Sequence, residues 1–306
     1  EKPTAVYTHT PVASFLGICC SCILRIKIRI VMIHGLYFIN TKAFISRQLF
    51  KILELITCAC ATARICVNDD DKRYLSKFCF FWKNSIVVNN VGVDLSRFSC
   101  CKFSPEQIAE KRKKYNIDDT TIVFGIVARM VKEKGFLELF SAYRKICGDV
   151  KSIILHVGPI DSSRNDQVPE SAYADLVSNG KLIMLGLRND IEEILPMIDV
   201  FCLPSHREGF PVSIMEAAAM SIPCITTNIR GCKDAIHQGV TGLLVNPNDI
   251  ESLASAMKYL ANSPGDRKKM GQYALKDAIS RFDRNIAVKN TLEVINNEMS
   301  RIHYNI

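Results

Sequence analysis

The sequence has no internal repeat and no low-complexity tract, which leaves a folded globular chain as the reading. It has no apolar run of about twenty residues, the length that a membrane-crossing helix needs. The longest candidate, residues 12–24, gives out at Arg25 and Lys27 and continues into a branched, strand-like run. No small-residue cleavage site follows it, so a core helix is expected here rather than a signal peptide. The 13 cysteines lack the paired Cys-x2-Cys spacing and partner histidines of a zinc site. Being odd in number, they form no complete disulfide framework. Cys19, Cys20, Cys22, Cys58, Cys60, Cys100 and Cys101 are therefore read as buried thiols acting as small hydrophobes, in a reducing cytosolic compartment. Acid is scarce at the start: residues 1–115 hold 8 Asp and Glu against 18 Lys and Arg. Such a segment favours phosphates or an anionic membrane surface. Nucleic acid is a poorer fit, because no nucleic-acid-binding motif accompanies the charge.

What is present is an alternation of short apolar runs and amphipathic stretches. The chain has 306 residues, 48% hydrophobic and 23% charged, enough for two domains of about 100–200 residues each. Strands are expected at 6–8, 28–33, 64–67, 85–88, 120–128, 152–157, 182–185, 200–204, 222–226 and 239–245. Helices are expected at 11–24, 43–63, 136–146, 249–262, 265–281 and 284–303. Alternation of this kind makes an α/β protein with parallel sheets. The run Asp69-Asp70-Asp71 invites comparison with a metal-binding cluster, but a helix start capped by Asn68 or Asp69 explains it more simply.

One stretch organises the rest. Arg207-Glu208-Gly209-Phe210-Pro211-Val212-Ser213-Ile214-Met215-Glu216 follows a buried strand and leads into a helix. Pro211 suits the helix's first turn, and Gly209 lets backbone approach a ligand closely. Glu208 then stands in the loop and Glu216 in the second helical turn, beside N–H groups that can seat an anion. Two acceptor-only carboxylates next to an anion seat suit a ligand carrying both phosphates and hydroxyls, such as a nucleotide sugar. Exposed surface glutamates are the plain alternative.

The string resembles the E-x7-E signature of family 4 retaining glycosyltransferases, and the wording is similar to enzymes that build capsule, exopolysaccharide or lipid-linked glycans. Thr8-His9-Thr10-Pro11, His34-Gly35-Leu36-Tyr37-Phe38, Gly92-Val93-Asp94, Gly125 to Gly135 and Gly239 to Val245 match in the expected order, over nearly the whole chain. The resemblance implies the GT-B fold of two Rossmann-like domains. Residues 1–98 would be the acceptor-side domain, 99–283 the nucleotide-sugar domain, and 284–306 a helix returning to the first. It implies that Arg129 and Lys134 hold the donor diphosphate, and that Glu208 binds sugar hydroxyls. Gly209, Phe210, Pro211 and Val212 would line the sugar, and Glu216 would hold the ribose. Gly158, Leu187 and Arg188 would lie by the nucleotide. His34, at a strand's carboxyl end, becomes a cleft residue near the sugar, with His9 as second candidate; a satisfied structural histidine is the alternative for each.

The expected activity is transfer from a nucleotide sugar, UDP-linked by preference, to a lipid-linked or glycan acceptor. No metal or other cofactor is implied. Peripheral contact with the inner face of an anionic membrane is expected, and nucleic acid is not. Two other readings remain: a nucleotide-sugar epimerase of the same fold, and a non-catalytic nucleotide-sugar binder. Relative to the family, the chain is expected to lack the first strands of its N-terminal domain, which would uncover a hydrophobic sheet edge.

Overall fold

The computed structural model describes residues 3–41, 43–78, 86–160 and 166–303; the expected strand start at Ser85 lies outside them. The chain divides into two compact units, residues 1–92 with 284–306, and residues 93–283.

The first unit begins with β1 (Ala5–His9), α1 (Pro11–Ile23), β2 (Ile28–Ile33), α2 (Phe44–Cys60), β3 (Ala63–Cys66), α3 (Asp69–Phe78) and β4 (Ile86–Val88). Its strands pair in parallel in the order β1-β2-β3-β4. β2 and β3 are central, and their Ile28, Ile30, Val31 and Ile65 are buried, as branched side chains on a doubly covered sheet should be. β1 pairs only with β2 among the described strands, and its middle residues are half-buried. Asn68 caps α3 as expected: Asp71 N–H donates to Asn68 Oδ1 at 2.8 Å, and Asn68 Nδ2 donates to Asp71 Oδ2 at 2.8 Å. The buried Arg64 guanidinium donates to the carbonyls of Cys58 and Ala61 at the end of α2, satisfying acceptors that a helix end leaves open.

The second unit contains α4 (Pro105–Lys114), β5 (Ile122–Val127), α5 (Phe136–Ile146), β6 (Ser152–Val157), α6 (Ala174–Ser178), β7 (Leu182–Met184), α7 (Ile191–Ile194), β8 (Val200–Leu203), α8 (Val212–Ala219), β9 (Cys224–Thr227), α9 (Cys232–Ala235), β10 (Gly242–Val245), α10 (Ile250–Asn262) and α11 (Pro264–Asp277). The sheet is parallel, in the order β10-β9-β8-β5-β6-β7. The chain therefore runs outward from β5 to β7, then returns to β5's other side and runs outward again. That reversal between β8 and β5 is the point where open α/β sheets bind ligands. Ser104 opens α4 with a reciprocal capping box to Gln107. The closing helix α12 (Arg284–His303) belongs to the first unit. There Asn89 Nδ2 donates to Ala287 O at 2.8 Å and to Thr291 Oγ1 at 3.0 Å.

Several details depart from expectation. β9 starts at Cys224, not at 222, because Pro223 has no N–H for the ladder. Pro211 is the N-cap of α8 and not in its first turn; its extended backbone (φ −75, ψ 108) presents a carbonyl that accepts from Ile214 N–H at 3.2 Å. α11 stops at Asp277 and the chain passes into a single π-turn, Ala278–Phe282. The cysteines are only partly buried. Cys58, Cys66, Cys202, Cys224 and Cys232 lie inside, whereas Cys20 and Cys101 are exposed.

Candidate active site

The loops after β5, β6, β7 and β8 all leave the carboxyl end of one parallel sheet, and each carries part of the expected site. The β5 loop contains Arg129, exposed, and Lys134, largely covered. Gly135 ends this loop with φ +76, and a Cβ there would lie 1.9 Å from Pro204 O. No other residue type permits so close an approach of the β5 and β8 loops.

That approach sets the central contact. Lys134 Nζ donates to Glu208 Oε1 at 2.6 Å across the point where the strand order reverses. Ser205 Oγ donates to the same oxygen at 2.8 Å. Both of these bonds fall on Oε1. Three further links fasten the two loops. Arg207 pairs with Glu133 at 3.0 Å, His206 Nε2 lies 3.2 Å from Glu138 Oε1, and His206 N–H donates to Glu133 O at 2.8 Å. Exposed ion pairs contribute little singly; four links over one short seam hold a geometry.

Gly209 and Phe210 continue from Glu208 as half-buried loop, Pro211 is buried, and Val212 opens α8 with an exposed side chain. Phe210 packs edge-on against Phe282, ring centroids 5.7 Å apart. Glu216 sits in the second turn of α8. Burial, with the nearby Glu192 charge adding to it and Arg97 opposing it, pushes its carboxyl up to about 7. A carboxylate held at that cost in a folded chain is a candidate for function.

The β6 and β7 loops meet beside Arg129. Met130 N–H donates to Pro159 O at 3.0 Å, and Gly158 N–H to Gly186 O at 2.8 Å. The turn Gly186-Leu187-Arg188 is thus joined to Gly158 by backbone. Leu187 is exposed, presenting an apolar side chain of the kind a base can stack on. Arg188 faces its own neighbour, donating to both carboxylate oxygens of Asp190 at 2.8 and 2.5 Å. Asp190 makes no side-chain cap to α7.

His34 lies in the first unit, at the carboxyl end of β2. Its Nε2 is 3.0 Å from Nδ1 of His9, at the end of β1. Burial, and then the His9 charge, hold the His34 imidazole below its ordinary range. The structure thus brings the two histidine candidates together.

Sequence reasoning missed Arg97, Ser205, Glu133 and Glu192. Arg97 donates to Glu192 Oε2 at 2.7 Å and to Asn189 O at 2.6 Å, and its field reaches Glu216. The pairing spans more than ninety positions of chain, so no local pattern announces it. Ser205, three positions before Glu208, was the one with a usable signal.

The sequence profile of "Glycosyl transferases group 1" matches residues 107–277, more than half of the chain and nearly all of the second unit. The chain belongs to this glycosyltransferase family. Capsular polysaccharide biosynthesis glycosyltransferase CapM of Staphylococcus aureus is 28% identical over 287 residues, covering 94% of this chain and 74% of that protein. UDP-Gal:alpha-D-GlcNAc-diphosphoundecaprenol alpha-1,3-galactosyltransferase of Escherichia coli is 30% identical over 260 residues, 84% of this chain and 66% of that protein. Among solved structures, Anabaena HepE in complex with UDP-glucose superposes with a TM-score of 0.85 at 19% identity, over 96% of this chain and 79% of that one. The glycosyltransferase is thus of the GT-B class, with two parallel-sheet Rossmann-like units. Its named relatives work in capsular or lipid-linked glycan synthesis.

Proposed function

We propose that the protein is a retaining, family 4 glycosyltransferase. It moves a hexosyl or N-acetylhexosaminyl group from a UDP-linked donor to a lipid-linked or glycan acceptor at the cytoplasmic side of the membrane. The observation that carries this is the Lys134–Glu208 contact, which sets a cation and a sugar-binding acid side by side at the sheet's reversal point. Support for UDP comes from relatives and neighbours named with UDP or a UDP sugar. Support for a lipid-linked acceptor comes from two relatives whose names specify diphospho-undecaprenol.

In this reading the bond between the anomeric carbon and the β-phosphate oxygen breaks, and charge builds on the departing diphosphate. Arg129 offers paired N–H donors and Lys134 a compact charge, and both stabilise that developing anion. The acceptor oxygen joins the anomeric carbon on the face the diphosphate leaves, and its proton passes to a phosphate oxygen. Glu208 Oε2 and the Gly209–Phe210 backbone orient the sugar, and Glu216 takes the ribose hydroxyls. Gly158 and the Leu187–Arg188 turn flank the nucleotide. The two cations supply the charge neutralisation, so turnover without added metal is the expectation.

Calorimetry with UDP, followed by donor hydrolysis and transfer assays, tests the assignment. UDP binding with anomer-retaining transfer is expected, and Arg129→Ala is expected to abolish turnover while the fold survives. Absence of UDP binding removes the reading. Isomerised donor formed without an acceptor replaces it with an epimerase.

A further inference from the structure

The first unit has a cavity of its own, built from residues outside the expected donor site. Val12 lies in the first turn of α1, just after β1, and Tyr37 and Phe38 stand in a short helical turn after β2. Phe50 and Glu54 are four positions apart on α2, the spacing that sets two side chains on one stripe. With Phe15 of α1 they line a cavity of about 70 Å³, room for a small chemical group. It lies by the carboxyl ends of β1 and β2, the end of a parallel sheet at which ligands bind. Val12 and Tyr37 are exposed, so a ligand reaches the cavity from solvent on their side.

The lining is aromatic on several sides and acidic on one. Tyr37 and Phe50 meet edge to face, ring centroids 5.0 Å apart at 81°, and so form two walls at nearly a right angle. Phe38 is buried, its ring held 5.6 Å from that of Tyr74. Glu54 is the one charged residue among the described lining residues. Lys51, three positions before it on α2, turns to the Phe78 ring, 4.4 Å from its centroid. The charge that does act on Glu54 has its own sign. Burial, and then the buried Asp71 carboxylate, push the Glu54 carboxyl up to about 7. An acid set among apolar rings is costly to ionise unless a cation stands against it, and aromatic rings attract a cation as well. An anionic ligand would meet Glu54 and Asp71, and a wholly apolar one would give the carboxyl no partner.

We propose that this cavity binds an alkylammonium group, with Glu54 as its counter-ion and Tyr37, Phe38 and Phe50 as the rings around it. The ligand's cationic head enters between the rings, and the rest of the molecule stays on the Val12 and Tyr37 side. A free alkylamine and the amine of an amino sugar present the same chemistry, and separate probes distinguish them. The site is built within the first unit and needs neither nucleotide nor transfer, so it stands apart from the transferase reading.

The test is calorimetry and ligand-observed NMR on the full chain at about pH 8, above the range of the Glu54 carboxyl. The probes are choline chloride against its neutral carbon isostere dimethylbutanol, and glucosamine against N-acetylglucosamine. A cationic probe is expected to bind at least about tenfold more tightly than its uncharged counterpart. Binding of choline alone points to a free alkylamine and binding of glucosamine alone to an amino sugar, and either supports the proposal. Glu54→Gln keeps the side chain's shape and should remove the preference for the cation without lowering the melting temperature. Phe50→Ala should weaken the cationic probe by about tenfold. Neither cation binding, a neutral isostere that binds as tightly as its cation, or a Glu54→Gln protein that keeps the preference overturns the proposal. Loss of UDP binding or transfer with ammonium binding intact refutes the transferase reading alone.

Discussion

Replacing Glu216 by glutamine should stabilise the ligand-free protein and weaken its hold on UDP. In the unfolded chain this carboxyl titrates near 4.5, and burial in the second turn of α8 pushes it up to about 7. Between these pH values the folded chain holds a proton that the unfolded chain has released. Stability is therefore lost progressively as pH rises from about 4.5 to about 7, and the loss is complete above that. The gap corresponds to about 3 kcal/mol at pH 8. The amide would keep the shape of the side chain and lose its ionisation, so the Glu216→Gln variant should melt about 6–12 °C above wild type at pH 8. At pH 4 the difference should vanish, because both side chains are then neutral. UDP should narrow that gap. A hydrogen bond from a ribose hydroxyl to a charged acceptor contributes about 1.5–3 kcal/mol, so the variant's affinity should fall about tenfold to a hundredfold. Thermal melts at pH 4, 6 and 8, each with and without UDP, report both effects. A variant that melts at or below wild type at pH 8 refutes the burial argument, and equal stabilisation of both proteins by UDP refutes the ribose role.

Lys134→Ala should lower kcat about a hundredfold to a thousandfold, with a smaller change in stability, as read from steady-state transfer alongside melting. Gly231→Ala should destabilise the fold by more than about 1 kcal/mol and weaken UDP binding, because φ is +77 and its Cβ would sit 2.1 Å from Gly209 O; urea titration and calorimetry measure the two. Asp199→Ala should cost about 3–5 kcal/mol, since it removes the carboxylate 2.8 Å from the buried Arg112 guanidinium, leaving that charge backbone carbonyls such as Met197 O, and unpairs Val123 N–H at 2.9 Å. Its midpoint in urea should fall well below that of wild type.

What could be read from the sequence follows from how locally each feature is encoded. β2, β5, β6 and β8 are continuous branched or apolar runs bounded by turn residues, and both periodicity and composition mark such runs. α5 was legible to the residue because Gly135 needs a left-handed backbone immediately before it. Where the reading slipped, a proline was the cause: Pro223 delayed β9, and Pro211 became the N-cap of α8 rather than part of its first turn. Glu208 and Lys134 were each nameable, but their direct bond was not, since the sheet order that makes β5 and β8 neighbours is a property of the whole unit.

The same limit explains the clearest failure. Seen as a sequence, α1 is an apolar run of the right length for a buried helix, and the α2 run has enough apolar residues for one face. Only the fold shows both stripes, one against the sheet and one turned away from it. Apolar content alone does not distinguish a helix that is buried from one that is waiting to be covered. Burial of Thr57 and Cys58 beside exposure of Ile52 and Ile56 does, because it shows which side of the helix the sheet covers.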